Sequence, residues 1–266
     1  MVAYGFTDGD VGRDLALVAR LRVSCLELFP QWRNDPDPLP LRRQVADAGL
    51  TIHSAHGCWG GHSIAARRVD LGCPDPDVRR DSLDDLRRCV DWLAAAGGRC
   101  LVVHPGGLSR PAEAADRRVA LSSALIELAD HAMGTRVVLC VENMPPGVSP
   151  GSRMADLAGL VAESDRPEIA LAIDTGHANL VDSAASETLA AGRYLATTHV
   201  HDNDGRRDIH LPPGLGTIDW GGWVASLDQI DYRGPIMLEC IRHLREHPDC
   251  ITDDFVERLA QLSGNA

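Results

Sequence analysis

The amino-acid sequence predicts an α/β fold: a single-domain (β/α)8 TIM barrel spanning residues 1–266. Three observations carry that prediction. Apolar segments of strand length alternate eight times with amphipathic segments of helix length, which is the rhythm of repeated βα units. Five of the strand segments end on residues able to ligate a metal: LVVHPGG with His104, LCVENMP with Glu142, LAIDTGH with Asp174 and His177, THVHDND with His199 and His201, and IMLECI with Glu239. The length suits one core of this class, since such barrels run near ~250 residues.

The strands are expected at 2–6 (VAYGF), 23–29 (VSCLELF), 50–56 (LTIHSAH), 100–105 (CLVVHP), 136–143 (RVVLCVEN), 169–175 (IALAIDT), 197–203 (TTHVHDN) and 235–241 (PIMLECI). The clearest helix is DPDVRRDSLDDLRRCVDWLAAAGG, where Val78, Leu83, Leu86, Val90, Leu93 and Ala94 recur at helical spacing, acids come early and glycines close the end. Weaker patterns of the same kind run through 112–134, 153–163, 220–229 and 252–262. A doubly wound open sheet shares this rhythm. A nucleotide-binding sheet of that kind would carry a glycine-rich turn after its first strand, and YGFTDGDVGRD contains neither G-x-G-x-x-G nor a P-loop. Strand count and the placement of the polar residues favour the barrel.

Composition narrows the function classes. Lys+Arg 26 against Asp+Glu 38 gives a net charge of −12, which repels a phosphate backbone and argues against nucleic acid as a partner. All the basic residues are arginine, so Schiff-base chemistry through a lysine amine is excluded. No apolar run approaches the ~18 residues of a membrane span, and MVAYGFTDGD lacks the basic start and apolar stretch of a signal peptide, so a cytoplasmic location is expected. The 8 cysteines form no C-x-x-C pair and read as reduced, buried small hydrophobes.

In a barrel, the carboxyl ends of the strands face a common mouth where the active site lies. Strand alternation makes Glu142 (with Val138 and Cys140) and Glu239 (with Met237) the last inward residues of their strands. His199 and His201 share one face, and so do Asp208 and His210 if their loop is locally extended. Imidazole and carboxylate ligands without thiolates suit a divalent zinc, manganese, iron or cobalt ion. Gathering several ionisable groups at one end of a core costs several kcal/mol per ion unless they are paired or bound to metal.

The strings HPGG, VENMP, DTGHANL, HVHDNDGRRDIHLPPGLGTIDW and LEC resemble the xylose-isomerase-like barrel superfamily, which includes sugar isomerases and epimerases and the endonuclease IV branch of apurinic endonucleases. The resemblance runs from HSAHG to LEC. It implies that Glu142, Asp174, His201 and Glu239 bind a central metal. It also implies, from the endonuclease branch, that His56 and His104 with bridging Glu142 hold a second ion, and that His177, Asp208 and His210 hold a third. The implied cofactor is therefore one to three divalent ions per chain.

Two chemistries follow. In the first, an isomerase or epimerase acts on a small polyhydroxylated carbonyl compound such as a sugar, sugar acid or inositol derivative, with Glu142 and Glu239 transferring the proton and the metal stabilising an enediolate. In the alternative, a multinuclear site hydrolyses a phosphoester, more readily of a small phosphorylated metabolite than of DNA. A non-catalytic barrel would leave both glutamates unexplained. His199 could touch substrate or orient a ligand, Glu27 could hydrogen-bond substrate or a ligand histidine, Arg206 could bind an anionic group of the substrate, and Trp32 and Trp59 could wall the site. The partner expected is a small molecule, with a homo-oligomer left open.

Overall fold

The computed structural model describes residues 2–7, 11–30, 37–59 and 69–262; Trp32 lies outside them. In chain order the elements are β1 (Val2–Thr7), α1 (Val11–Leu21), β2 (Cys25–Leu28), α2 (Leu39–Asp47), β3 (Thr51–His56), α3 (Pro76–Ala96), β4 (Cys100–Val103), α4 (Ala114–Ala132) and β5 (Val138–Glu142). They continue with α5 (Met154–Ser164), β6 (Ile169–Asp174), α6 (Thr175–Val181), α7 (Ala184–Ala191), β7 (Leu195–His199), α8 (Trp220–Gln229), β8 (Ile236–Leu238), α9 (Ile241–Glu246) and α10 (Asp253–Leu262). Each expected strand is found. The helices α1, α2, α6, α7 and α9 are additions to the sequence reading.

The strands form one sheet in the order β7-β6-β5-β4-β3-β2-β1-β8, and every neighbouring pair is parallel. The sheet curls until its two edges meet. There the closed barrel expected from the sequence is found only in part, because among the described residues the seam between β7 and β8 is a single parallel bridge, Val200 to Leu238. Val200 N–H donates to Met237 at 2.7 Å and Glu239 N–H donates to Val200 at 2.9 Å. The short seam has a chemical cause. Pro235, just before β8, has no N–H to give, and the Thr198 hydroxyl replaces main-chain rungs by donating to the Pro235 carbonyl and accepting from Met237 N–H, each at 3.0 Å.

Helices cover the outer face of the sheet. In α3, Asp75 caps the first turn by accepting from Asp77 N–H, Pro76 occupies the first helical position, and Gly97 ends the helix at φ +86°. Leu83, Leu86, Cys89, Val90 and Leu93 line its buried face, which joins the main apolar core between helices and sheet. All the cysteines but Cys250 are buried. Among the described residues, no helix is long and apolar enough to cross a membrane.

Candidate metal centre

Strand register builds the site from below. The paired rows Cys100–Val102, Val138–Cys140 and Ala170–Ala172 pack together as small apolar side chains, with Cys25 against Met237 nearby. One step further along the same face, these rows reach His104, Glu142 and Asp174, and the row of Met237 reaches Glu239. The inner face is thus apolar at its base and polar at its carboxyl end. His56, Glu142 and Asp174 end β3, β5 and β6, whereas β7 stops at His199 and β8 at Leu238, so His201 and Glu239 stand just beyond strands shorter than expected.

At the centre, Glu142, Asp174, His199 and Glu239 are all buried and bring one ligand-type atom each within 4.8 Å of the others. His199 Nδ1 lies 2.7 Å from Glu142 Oε1 and 3.1 Å from Glu239 Oε2, and its Nε2 lies 2.8 Å from Glu27 Oε1. Ser54 Oγ donates to the other Glu27 oxygen at 2.7 Å. His199 and Glu27 are both 0 % exposed, His199 within the cluster and Glu27 joined to it through His199.

Three triads flank this group with the same mutual spacing of 4.8 Å or less: His56–His104–Glu142, Asp174–His177–His201 and His201–His210–Glu239. Glu142 Oε2 is 3.1 Å from His104 Nε2 and 3.6 Å from His56 Nε2. Asp174 has two tasks. Its Oδ1 caps α6 by accepting from His177 N–H at 2.6 Å, and its Oδ2 meets His201 Nε2 at 3.0 Å. Asp208 Oδ2 lies 3.2 Å from His177 Nε2 and 3.3 Å from His210 Nε2, so the loop brings both of its candidate ligands to the mouth. It does so with a kink at His210 (φ +47°) rather than by staying extended.

The residues fit a divalent cation. Glu142 Oε2 and Glu239 Oε2 are buried without any hydrogen-bond partner, although ring nitrogens stand close to both. Buried carboxylate oxygens left unsatisfied are costly, and lone pairs converging from imidazole and carboxylate are what a hard or borderline cation takes up. Outer ring nitrogens are fixed as ligation requires: His56 Nδ1 on the Gly57 carbonyl (2.7 Å), His177 Nδ1 on Asn143 (2.8 Å) and His210 Nδ1 on Glu239 (2.8 Å).

The charges around the centre are unequal. Burial pushes the Glu142 carboxyl up, but His199 together with the nearby His104 and His56 rings outweighs it and holds the group well below the usual carboxylate range. For Glu239 burial wins over His199, and its carboxyl is raised. Burial works against a charged His199, yet Glu239, Glu27 and Glu142 hold it well above an ordinary histidine. His177 and His210 are pushed up to about 10 against their burial, the first chiefly by Asp174 and the second chiefly by Asp208.

Arg206 is not drawn into the cluster. It is exposed on the loop, its backbone N–H donating to Asp204, whose carboxylate pairs with Arg207. Trp59 is half-buried against Phe29 and the edge of His56, with ring centroids 5.1 and 4.8 Å away. Two contributors escaped the sequence reading. Asn143 receives Asp174 N–H at 2.7 Å and donates to its carbonyl at 3.0 Å, and buried Asp202 anchors the loop that carries Asp208 and His210. Each adjoins a candidate ligand in sequence, which is the only signal either gave.

A family model described as the xylose isomerase-like TIM barrel matches residues 15–262. The chain belongs to this family. A similar member is L-ribulose 3-epimerase of Methylomonas sp. (strain DH-1), 33% identical over 182 residues that make up 64% of this chain and 60% of that enzyme's length. L-ribulose-5-phosphate 3-epimerase of Salmonella paratyphi C is 25% identical over 248 residues, 93% of this chain and 81% of that one. The crystal structure of a D-tagatose 3-epimerase-like protein shares the xylose isomerase-like fold with a TM-score of 0.81 at 20% identity, covering 98% of this chain and 99% of that one.

Proposed function

We propose that the protein is a divalent-metal-dependent isomerase or epimerase acting on a small polyhydroxylated carbonyl compound: a sugar, a sugar acid or an inositol derivative. The observation that carries this reading is the pair Glu142 and Glu239, buried carboxylates with an unpartnered oxygen each, grouped with Asp174 and His199, with His201 in the triads that adjoin Asp174 and Glu239. Glu142, Asp174, His201 and Glu239 would hold the cation, which supplies a Lewis acid for the substrate carbonyl. One glutamate removes a proton from the carbon beside that carbonyl, and the other delivers a proton to the opposite face. Trp59, against the edge of His56, would wall one side of the bound molecule, and the exposed Arg206 would meet an anionic group of the substrate. The epimerase names of the relatives support this chemistry; the fold alone does not select it.

In this reading residues 1–266 act as one domain, a (β/α)8 barrel, in the cytoplasm, as a monomer or homo-oligomer. Zinc, manganese, iron and cobalt all suit the donors. The flanking triads favour a second reading, a multinuclear phosphoester hydrolase in which His56 and His104 with Glu142, and His177, Asp208 and His210, hold further ions. Glu142 would then bridge two cations and lose basicity for proton abstraction.

Protein purified without chelator is to be offered L-ribulose, D-tagatose and D-psicose, with the products separated by chromatography. The expected result is inversion at a single carbon, lost on chelation and restored by Mn2+ or Co2+. Turnover indifferent to chelation, or no turnover by the metal-loaded protein while it cleaves a small phosphoester, would overturn the epimerase reading.

A further inference from the structure

We propose that His199 is a positioning residue: a buried strut through which Glu27 sets the orientation of both Glu142 and Glu239 toward the cation. The inference rests on the metal reading above and extends it to residues outside the proposed ligand set of Glu142, Asp174, His201 and Glu239. His199, Glu27 and Ser54 are all 0 % exposed. Their contacts run in one line across the interior: Ser54 Oγ to Glu27 at 2.7 Å, Glu27 to His199 Nε2 at 2.8 Å, and His199 Nδ1 to Glu142 at 2.7 Å and Glu239 at 3.1 Å. That line ties β3 and β2 to β7, and β7 to the residues that finish β5 and β8. Each link joins different strands.

The physical need is plain. The terminal torsion of a glutamate is broad and roughly two-fold, so a carboxylate without a fixed oxygen swings freely and presents its lone pairs in many directions. Glu142 has Oε1 committed to His199, which leaves Oε2 pointing at His56 and His104 without a hydrogen bond of its own. The same imidazole edge faces Glu239, so one ring fixes the distance between the two carboxylates. The ring itself is held at both nitrogens and stacks on His56 with centroids 5.6 Å apart and planes 16° from parallel. Partners that orient metal ligands in this way typically change metal affinity about 10–100-fold when removed.

Two substitutions separate this role from simple packing. An asparagine amide reaches the position of the histidine Nδ1 and a glutamine amide that of Nε2, so His199→Asn keeps the donor to the glutamates while His199→Gln keeps only the link to Glu27. The full chain is titrated with Co2+, reading calorimetric affinity and the visible d–d bands of the bound ion, alongside thermal unfolding. We expect His199→Asn to hold Co2+ within about threefold of the parent with its bands unchanged, and His199→Gln to weaken it about 10–100-fold with altered bands. Glu27→Gln, which keeps side-chain shape, carries the test should His199→Gln fail to fold; it is expected to weaken Co2+ by about tenfold. Equal losses in the two His199 variants, or parental affinity in His199→Gln or Glu27→Gln, overturn the strut while the metal reading stands. A parent that takes up no Co2+ overturns both.

Discussion

His201 has backbone on one side and an aromatic ring on the other. Its ring stacks on His210 with centroids 3.9 Å apart and planes 10° from parallel, and a Cβ built on Gly176 would stand 1.9 Å from its Cε1. Gly176 is therefore required for space rather than for backbone freedom. In a buried, close-packed site the ring has nowhere to go, and overpacking of this kind costs about 1–3 kcal/mol. Gly176→Ala should lower stability by that amount and weaken Co2+ binding at least tenfold; unchanged affinity by calorimetry would show that His201 is not a ligand. At this scale the sequence was informative for residues at strand ends: alternation put Glu142 and Glu239 on the inner face, the resemblance pointed to His56, His104 and Asp174, and all five stand in groups of ligand-type residues. For Glu27 and His199 it left two roles open, substrate contact or support of a ligand, because a one-dimensional pattern does not say how far below the rim a residue stands or whether its neighbours take up its polar atoms.

Elements show a different limit. Helix α6 begins on Asp174, and Thr175, Gly176, His177 and Ala178 are all buried, so it has no polar stripe for periodicity to reveal. The long helix α3, with one wet face, was legible to its caps. The loop from Asp202 to Trp220 is ordered by a single buried carboxylate. Asp202 Oδ1 accepts from Asn203 N–H at 2.9 Å and Ile218 N–H at 3.2 Å, and Oδ2 accepts from Gly214 N–H and Trp220 Nε1–H, each at 3.0 Å. Gly216 packs so closely under it that a Cβ would meet Asp202 Oδ1 and the Asn203 carbonyl at 2.2 Å. The string HDND…LPPGLGTIDW is thus a folding unit that delivers Asp208 and His210. Removing the carboxylate strands four donors, and unsatisfied buried groups cost about 1–3 kcal/mol each before the loop relaxes. Asp202→Ala should lose about 3 kcal/mol in urea unfolding, and a change below about 0.5 kcal/mol would refute the hub.

For the whole molecule, the eight-fold alternation of apolar and amphipathic segments, with the placement of the polar residues, pointed to the parallel sheet that is found. The seam was not legible. Whether β7 and β8 share a ladder or one bridge depends on Pro235 and on the Thr198 hydroxyl, local chemistry that leaves the hydrophobic pattern untouched. The curl nevertheless brings the residues after β7 and β8 beside those ending β5 and β6, and the proposed proton transfer from substrate to one glutamate and to substrate from the other depends on that geometry. The most direct test is turnover of an epimerised sugar in D2O by the metal-loaded chain, with product labelling read by mass spectrometry. The account predicts one solvent deuteron at the inverted carbon for the parent and neither label nor product for Glu239→Gln, with its fold retained. Product formed without solvent label, or normal turnover by Glu239→Gln, would contradict it.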